Sequence, residues 1–103
     1  STDLMARFGG EEFVCVLTST SQQGAANVAE KLRQSVLALG IPHARSDISP
    51  MVTISIGTAT ARPSVNELHP ENLLHAADTQ LYLAKSSGRN RVMSVLCQPS
   101  PID

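Results

Sequence analysis

Two glycines followed at once by two carboxylates, Gly9-Gly10-Glu11-Glu12, stand between short apolar segments of a 103-residue chain. Glycines at a hairpin tip let the backbone take dihedrals closed to other residues. They also clear side chains away, so that a bulky anion can reach the main chain. A carboxylate beside a phosphate-sized gap suits Mg²⁺, which takes one or two carboxylates together with substrate phosphates. Neighbouring side chains on a strand point to opposite faces, so Glu11 and Glu12 are expected to play different parts. The same four residues also fit a plain hairpin with solvated acids.

A second group lies near the other end of the chain: Ala77-Asp78-Thr79-Gln80-Leu81-Tyr82-Leu83-Ala84-Lys85, then Gly88-Arg89-Asn90-Arg91. Lys85 and Arg89 bracket the end of an expected helix. Cations there complement the helix dipole, which is the simpler reading of the pair taken alone. They also suit phosphate oxygens, Lys as a point charge and Arg as a fork. His43, His69 and His75 have no metal-cluster spacing and read as surface residues. Tyr82 and the leucine stripe of the same expected helix read as core.

Elements of regular structure must hold these groups. Residues 3–18 read as a β-hairpin turning at Gly9-Gly10, with a continuous apolar run, Phe13 to Leu17, in its second strand. Thr18 to Ser21 offer helix caps. A helix is expected over 22–39, with Ala25, Val28, Ala29, Leu32, Val36 and Leu39 on one face. Gly40 ends it and Pro42 follows. Val52, Ile54 and Ile56 alternate with polar residues and predict a strand over 51–59. Gly57 would weaken that strand unless something packs closely against it. Polar loops hold Pro50, Pro63 and Asn66. A second helix is expected over 70–86, from Pro70 to just before Gly88, burying Leu73, Leu74, Ala77, Leu81 and Ala84. Residues 91–96 read as a last strand and 98–103 as a flexible tail. The order β-β-α-β-α-β predicts an α+β sheet with helices packed on it.

Composition narrows the class of function. The chain is 42% hydrophobic but only 3% aromatic, so Leu, Val, Ile and Ala must build the core of a single small domain. A net charge of −1 without charge blocks argues against nucleic-acid binding and against a basic membrane-surface helix. No apolar run is long enough to span a bilayer. Cys15 and Cys97 lack metal-ligand spacing, and Cys15 reads as a buried free thiol, as fits a cytoplasmic setting. The chain opens directly into a strand that leads to a motif, which suggests that part of the domain lies upstream.

Arg7-Phe8-Gly9-Gly10-Glu11-Glu12-Phe13 resembles the signature of the GGDEF family, with Glu11 where that family accepts Asp or Glu. Val52-Thr53-Ile54-Ser55-Ile56-Gly57 resembles the family's following strand. Ala77-Asp78 through Lys85, with Gly88-Arg89-Asn90-Arg91-Val92, resembles its C-terminal helix and last strand. The three blocks come in the family's order and at its spacing. The resemblance implies an α+β nucleotidyl-cyclase-like fold, a central antiparallel-rich sheet flanked by helices, with residues 1–97 as the C-terminal portion of a GGDEF domain. It implies condensation of two GTP to cyclic di-GMP with release of two pyrophosphates, by a homodimer of such domains requiring Mg²⁺ or Mn²⁺. Glu11 matches the metal-ligating acid that is assigned the proton-acceptor role. Glu12 matches a required catalytic acid. Gly9 and Gly10 match the glycines beside the substrate phosphates, and Lys85 and Arg89 the basic residues on the terminal phosphates. Arg7 would brace the hairpin acids. Asp3 matches the Asp of the family's Arg-x-x-Asp inhibitory site for cyclic di-GMP, whose Arg would stand just before Ser1. Lys31 or Arg33 is a lesser candidate for a second inhibitory contact.

The family's first strand, which supplies an Asp metal ligand, has no counterpart here. Nor do the helices after it, which supply a phosphate-binding Lys and the Asn and Asp that read guanine. The segment by itself is therefore expected to be inactive, and the activity to belong to a longer protein. Two other readings of that protein come from a different class: a degenerate module that binds nucleotide or cyclic di-GMP, and a dimerisation module beside another domain. Intact Gly-Gly-Glu-Glu, Lys85 and Arg89 favour the cyclase.

Overall fold

The computed structural model describes residues 4–7, 13–16, 20–43, 51–62 and 70–97, the first two segments as backbone. Asp3, the signature residues 9–12, the loop residues 44–50 and 63–69 (His69 among them), and the expected tail 98–103 lie outside the described residues.

The elements run in the expected order: β1 Leu4–Arg7, β2 Phe13–Val16, α1 Gln22–Ala38, β3 Ile56–Thr60, α2 Pro70–Ser86 and β4 Val92–Leu96. β1 and β2 form an antiparallel pair in the register Leu4↔Val16 to Arg7↔Phe13. β3 and β4 form a parallel pair in the register Ile56↔Val92 to Thr60↔Leu96. Parallel strands need a long crossover, and α2 provides it. Thr58 Oγ1 lies 2.7 Å from Ser94 Oγ, which ties the two strands side chain to side chain.

Both helices begin and end where local chemistry dictates. Ser21 caps α1: its hydroxyl accepts the Gly24 N–H at 3.0 Å. Gly40, at φ +61°, closes the other end, its N–H donating to Leu37 O at 3.1 Å. Pro70 opens α2, where a missing N–H leaves nothing unsatisfied. At the far end the N–H of Arg89 donates to Ala84 O at 2.9 Å across Gly88, whose φ is +129°. That is the six-to-one bond of a Schellman motif.

The core lies where the helices meet the β3–β4 pair. Ala84 of α2 is fully buried and Ala29 of α1 nearly so. Leu73, Leu74, Ala77 and Leu81 are half-buried along the expected stripe of α2. Gly57 is the close-approach point: a β-carbon there would fall on Leu81 N and Ala77 O and stand 2.7 Å from Gln80 C. The small residue lets the α2 backbone rest directly on β3.

Three expectations need correction. The strand expected over 51–59 begins only at Ile56. Its partner is the reason: β4 starts opposite Ile56, and the chain before Val92 turns away through Arg89 and Asn90, both at positive φ. Met51 instead makes an isolated antiparallel bridge with Pro42, and Val52 N–H donates to Ile41 O at 2.7 Å. Tyr82 is not core. It is 69% exposed, because it lies about 100° round the helix from Leu81 and so off the buried stripe. On α1 the expected apolar face is only partly covered: Ala29 is buried, but Val28, Leu32 and Leu39 are exposed. No described helix is long and apolar enough to cross a membrane.

Candidate functional site

Arg7 and Phe13 are paired across the β1–β2 ladder. Residues 8–12, with Gly9, Gly10, Glu11 and Glu12, therefore connect the two strand ends, while lying outside the described residues. Glu11 and Glu12, expected to face opposite ways, lie beyond the described ladder.

Lys85 and Arg89 are described. Lys85 sits in the last turn of α2 and is exposed, where its charge complements the carbonyl end of the helix. Arg89 follows three residues after the helix, with an exposed side chain. Its main chain is fixed on both sides. The N–H is held by Ala84 O, and the carbonyl accepts Arg91 Nε at 3.0 Å. Arg89 and Asn90 both take left-handed dihedrals, φ +63° and +48°. Arg91 O accepts the Ile56 N–H at 3.0 Å, which joins the turn to the start of the parallel ladder.

A polar network from α1 meets this turn, and sequence reading did not find it. Arg33 grips Glu30 with two nitrogens, Nε at 2.8 Å from Oε1 and Nη2 at 2.6 Å from Oε2. Its third nitrogen, Nη1, donates to Asn90 Oδ1 at 2.8 Å. The Asn90 N–H in turn donates to Ser55 Oγ at 3.1 Å. The guanidinium of Arg33, hydrogen-bonded first and then attracted by charge, holds the Glu30 carboxyl down to about 2, with Gln34 Nε2 helping from 2.7 Å. The same contact pushes the Arg33 pKa further up. Three nitrogens of Arg33 are thus engaged inside the chain. Lys31 is exposed on the same helix. The Arg33–Asn90 contact spans 57 residues and has no periodic or motif signal in a single sequence.

His43 and His75 are exposed, on the Pro42 bridge segment and on α2. Cys97 is half-buried, and its N–H donates to Thr60 O at 2.8 Å.

Residues 1–91 match the model of the family described as diguanylate cyclase, GGDEF domain. The chain is 41% identical over 91 residues to the probable diguanylate cyclase DgcT of Escherichia coli, covering 88% of this chain and 20% of that protein. It is 39% identical over 92 residues to diguanylate cyclase A of Treponema denticola, covering 89% of this chain and 24% of the relative. It is 40% identical over 93 residues to the response regulator PleD of Caulobacter vibrioides, covering 88% and 20%. The chain thus spans between a fifth and a quarter of the length of these relatives. A small α+β fold with two helices on a parallel strand pair accords with part of a cyclase-like domain, and the chain belongs to the GGDEF family of diguanylate cyclase domains.

Proposed function

We propose that the protein carrying this chain condenses two GTP molecules to cyclic di-GMP, and that this chain supplies the hairpin acids and the terminal-phosphate cations. The observation that carries the reading is the unbroken Gly9-Gly10-Glu11-Glu12 in the connection between the paired ends Arg7 and Phe13. Relatives named as diguanylate cyclases support it.

The carboxylate oxygens of Glu11 and Glu12 are hard donors of the kind that Mg²⁺ or Mn²⁺ takes, so the donor chemistry of this segment fits the metal. Glu11 is the residue that would hold it. Bound there, the metal would lower the pKa of the attacking hydroxyl and screen the phosphates.

The chain's own residues have definable parts. In each half-reaction a 3′-hydroxyl oxygen bonds to the α-phosphorus of the other GTP, and the bond from that phosphorus to the bridging oxygen breaks. Glu11 accepts the hydroxyl proton. Gly9 and Gly10 leave the main chain open to the phosphates. Lys85 and Arg89 neutralise the charge that gathers on the departing pyrophosphate, the main task in phosphoryl-type transfer. Each domain holds one GTP and the product is two-fold symmetric, so two copies must face each other in an isologous homodimer. GTP as substrate sets the site in the cytoplasm. Asp3 would accept hydrogen bonds from guanine N–H groups of cyclic di-GMP at an inhibitory site one strand from the hairpin.

The test is incubation of the full-length protein with GTP and Mg²⁺ followed by chromatography of the products. Cyclic di-GMP and pyrophosphate in a 1:2 ratio are expected. Tight binding of cyclic di-GMP without any turnover would replace the cyclase reading with that of a receptor.

A further inference from the structure

Arg89 stands in a turn that side-chain-bearing residues seldom adopt, with φ positive at Arg89 and again at Asn90. Two such residues in succession persist only where the surroundings over-determine them. Two of the restraints are local: Ala84 O on the Arg89 N–H, and Arg91 Nε on the Arg89 carbonyl. The other two come from far along the chain. Ser55, 35 residues away, takes the Asn90 N–H, and Arg33, 57 residues away, holds the Asn90 side chain.

Arg33 suits this task because it is itself immobilised. Its side chain is 16% exposed and its fork is closed on Glu30, so the remaining nitrogen is aimed rather than free to swing. A lysine in its place would offer a point charge with no such fixed direction. The middle of α1 is thereby joined to the residue beside Arg89, and Ser55 joins the same residue to the approach to β3.

We infer that Arg33 and Asn90 are positioning residues for the reaction, with Glu30 and Ser55 as their supports: together they set the direction from which Arg89 leaves the main chain, and hence where its guanidinium meets phosphate. The inference rests on the reading of Arg89 as a ligand of the terminal phosphates. Small displacements of such a group are costly, since a shift of about 1 Å can lower a rate on the order of a hundredfold.

Five variants of the full-length protein separate the possibilities: Arg89→Ala, Asn90→Gly, Asn90→Asp, Arg33→Gln and Arg33→Lys. The readouts are KM and kcat for GTP, affinity for inorganic pyrophosphate with Mg²⁺ by calorimetry, and the melting midpoint. Asn90→Gly keeps the left-handed turn accessible but removes the acceptor for Arg33. It is expected to lower kcat/KM and pyrophosphate affinity by about tenfold each, well inside the range a misplaced group can cost. Asn90→Asp keeps both the acceptor and a tolerance of positive φ, and should restore both to within about twofold. Arg33→Gln and Arg33→Lys should match Asn90→Gly, and combining Arg33→Gln with Asn90→Gly should add little, because both remove one contact. A lowered melting midpoint with KM and pyrophosphate affinity unchanged in the Asn90 and Arg33 variants, while Arg89→Ala weakens both, would overturn the inference and leave the role of Arg89 standing. Unchanged pyrophosphate affinity in Arg89→Ala would instead remove Arg89 from the phosphate site.

Discussion

Gly57 of β3 lies against the main chain of Leu81 in α2 with no space between them for a methyl group. The contact is backbone to backbone, so no flexible side chain can move aside. Gly57→Ala must therefore push α2 off the sheet or bend the strand. Overpacking of this kind costs about 1–3 kcal/mol. The urea midpoint of Gly57→Ala should fall accordingly. An unchanged midpoint would mean that the helix can shift freely at this point. The same variant should also disturb the turn after α2, because Lys85 lies in the helix and the Arg89 N–H is held by Ala84 O of its last turn.

Much of this framework was legible in the sequence, for reasons that can be named residue by residue. Ser21, Gly40, Pro70 and Gly88 act through their own covalent chemistry, so the helix limits follow from local sequence. Gly57 signalled a close approach without saying what approaches. The alternation of Val52, Ile54 and Ile56 describes which way side chains point, but a ladder also needs a partner, and β4 begins only opposite Ile56. The apolar face of α1 was visible, yet periodicity is silent on what covers it, and Val28, Leu32 and Leu39 are exposed. Lys85 and Arg89 could be placed at the end of α2 because a helix end is a local event. The clamp of Arg33 on Asn90 depends on tertiary packing and has no trace in the sequence pattern.

Glu30 gives the network a pH signature. Its carboxyl is held down to about 2 from an ordinary 4.5, chiefly by the hydrogen bonds from Arg33. A depressed folded-state pKa stabilises the fold above the unfolded value and loses that contribution as pH falls toward the folded one. The window is therefore about pH 4.5 down to about 2. Wild type should lose stability through this window faster than Glu30→Gln, which cannot titrate at that position. Parallel denaturation curves at a series of pH values check it, and identical slopes would show that the pair does not survive in solution.

Gly88 makes a separate claim on stability. At φ +129° a β-carbon is strained wherever the space lies, and here it would also stand 2.5 Å from Arg91 Nη2. The arginine tip can move, so strain in the backbone decides the outcome. Gly88→Ala should cost about 1–3 kcal/mol. It should also weaken the six-to-one bond from Arg89 N–H to Ala84 O, so amide exchange at Arg89 is expected to speed up more than at the middle of α2. Equal protection in both proteins would show that the turn tolerates a side chain.

Glu11 bears the sharpest functional prediction. Glu11→Gln keeps the size of the side chain and a hydrogen-bonding carbonyl, but removes the charge that would hold a divalent cation and the base that would take the hydroxyl proton. In the full-length protein the rate of cyclic di-GMP formation should fall by about a hundredfold or more, the cost of removing one preorganised electrostatic element. Glu11→Asp keeps the charge on a shorter stem and should retain far more activity. The pair of variants separates charge from shape: a loss in Glu11→Gln with activity kept in Glu11→Asp assigns the role to the carboxylate. If Glu11→Gln turned over GTP at the wild-type rate, Glu11 would leave the site and Glu12 would be the next acid to test. Melting midpoints of all three proteins complete the test, and equal midpoints would attribute any lost rate to chemistry rather than unfolding.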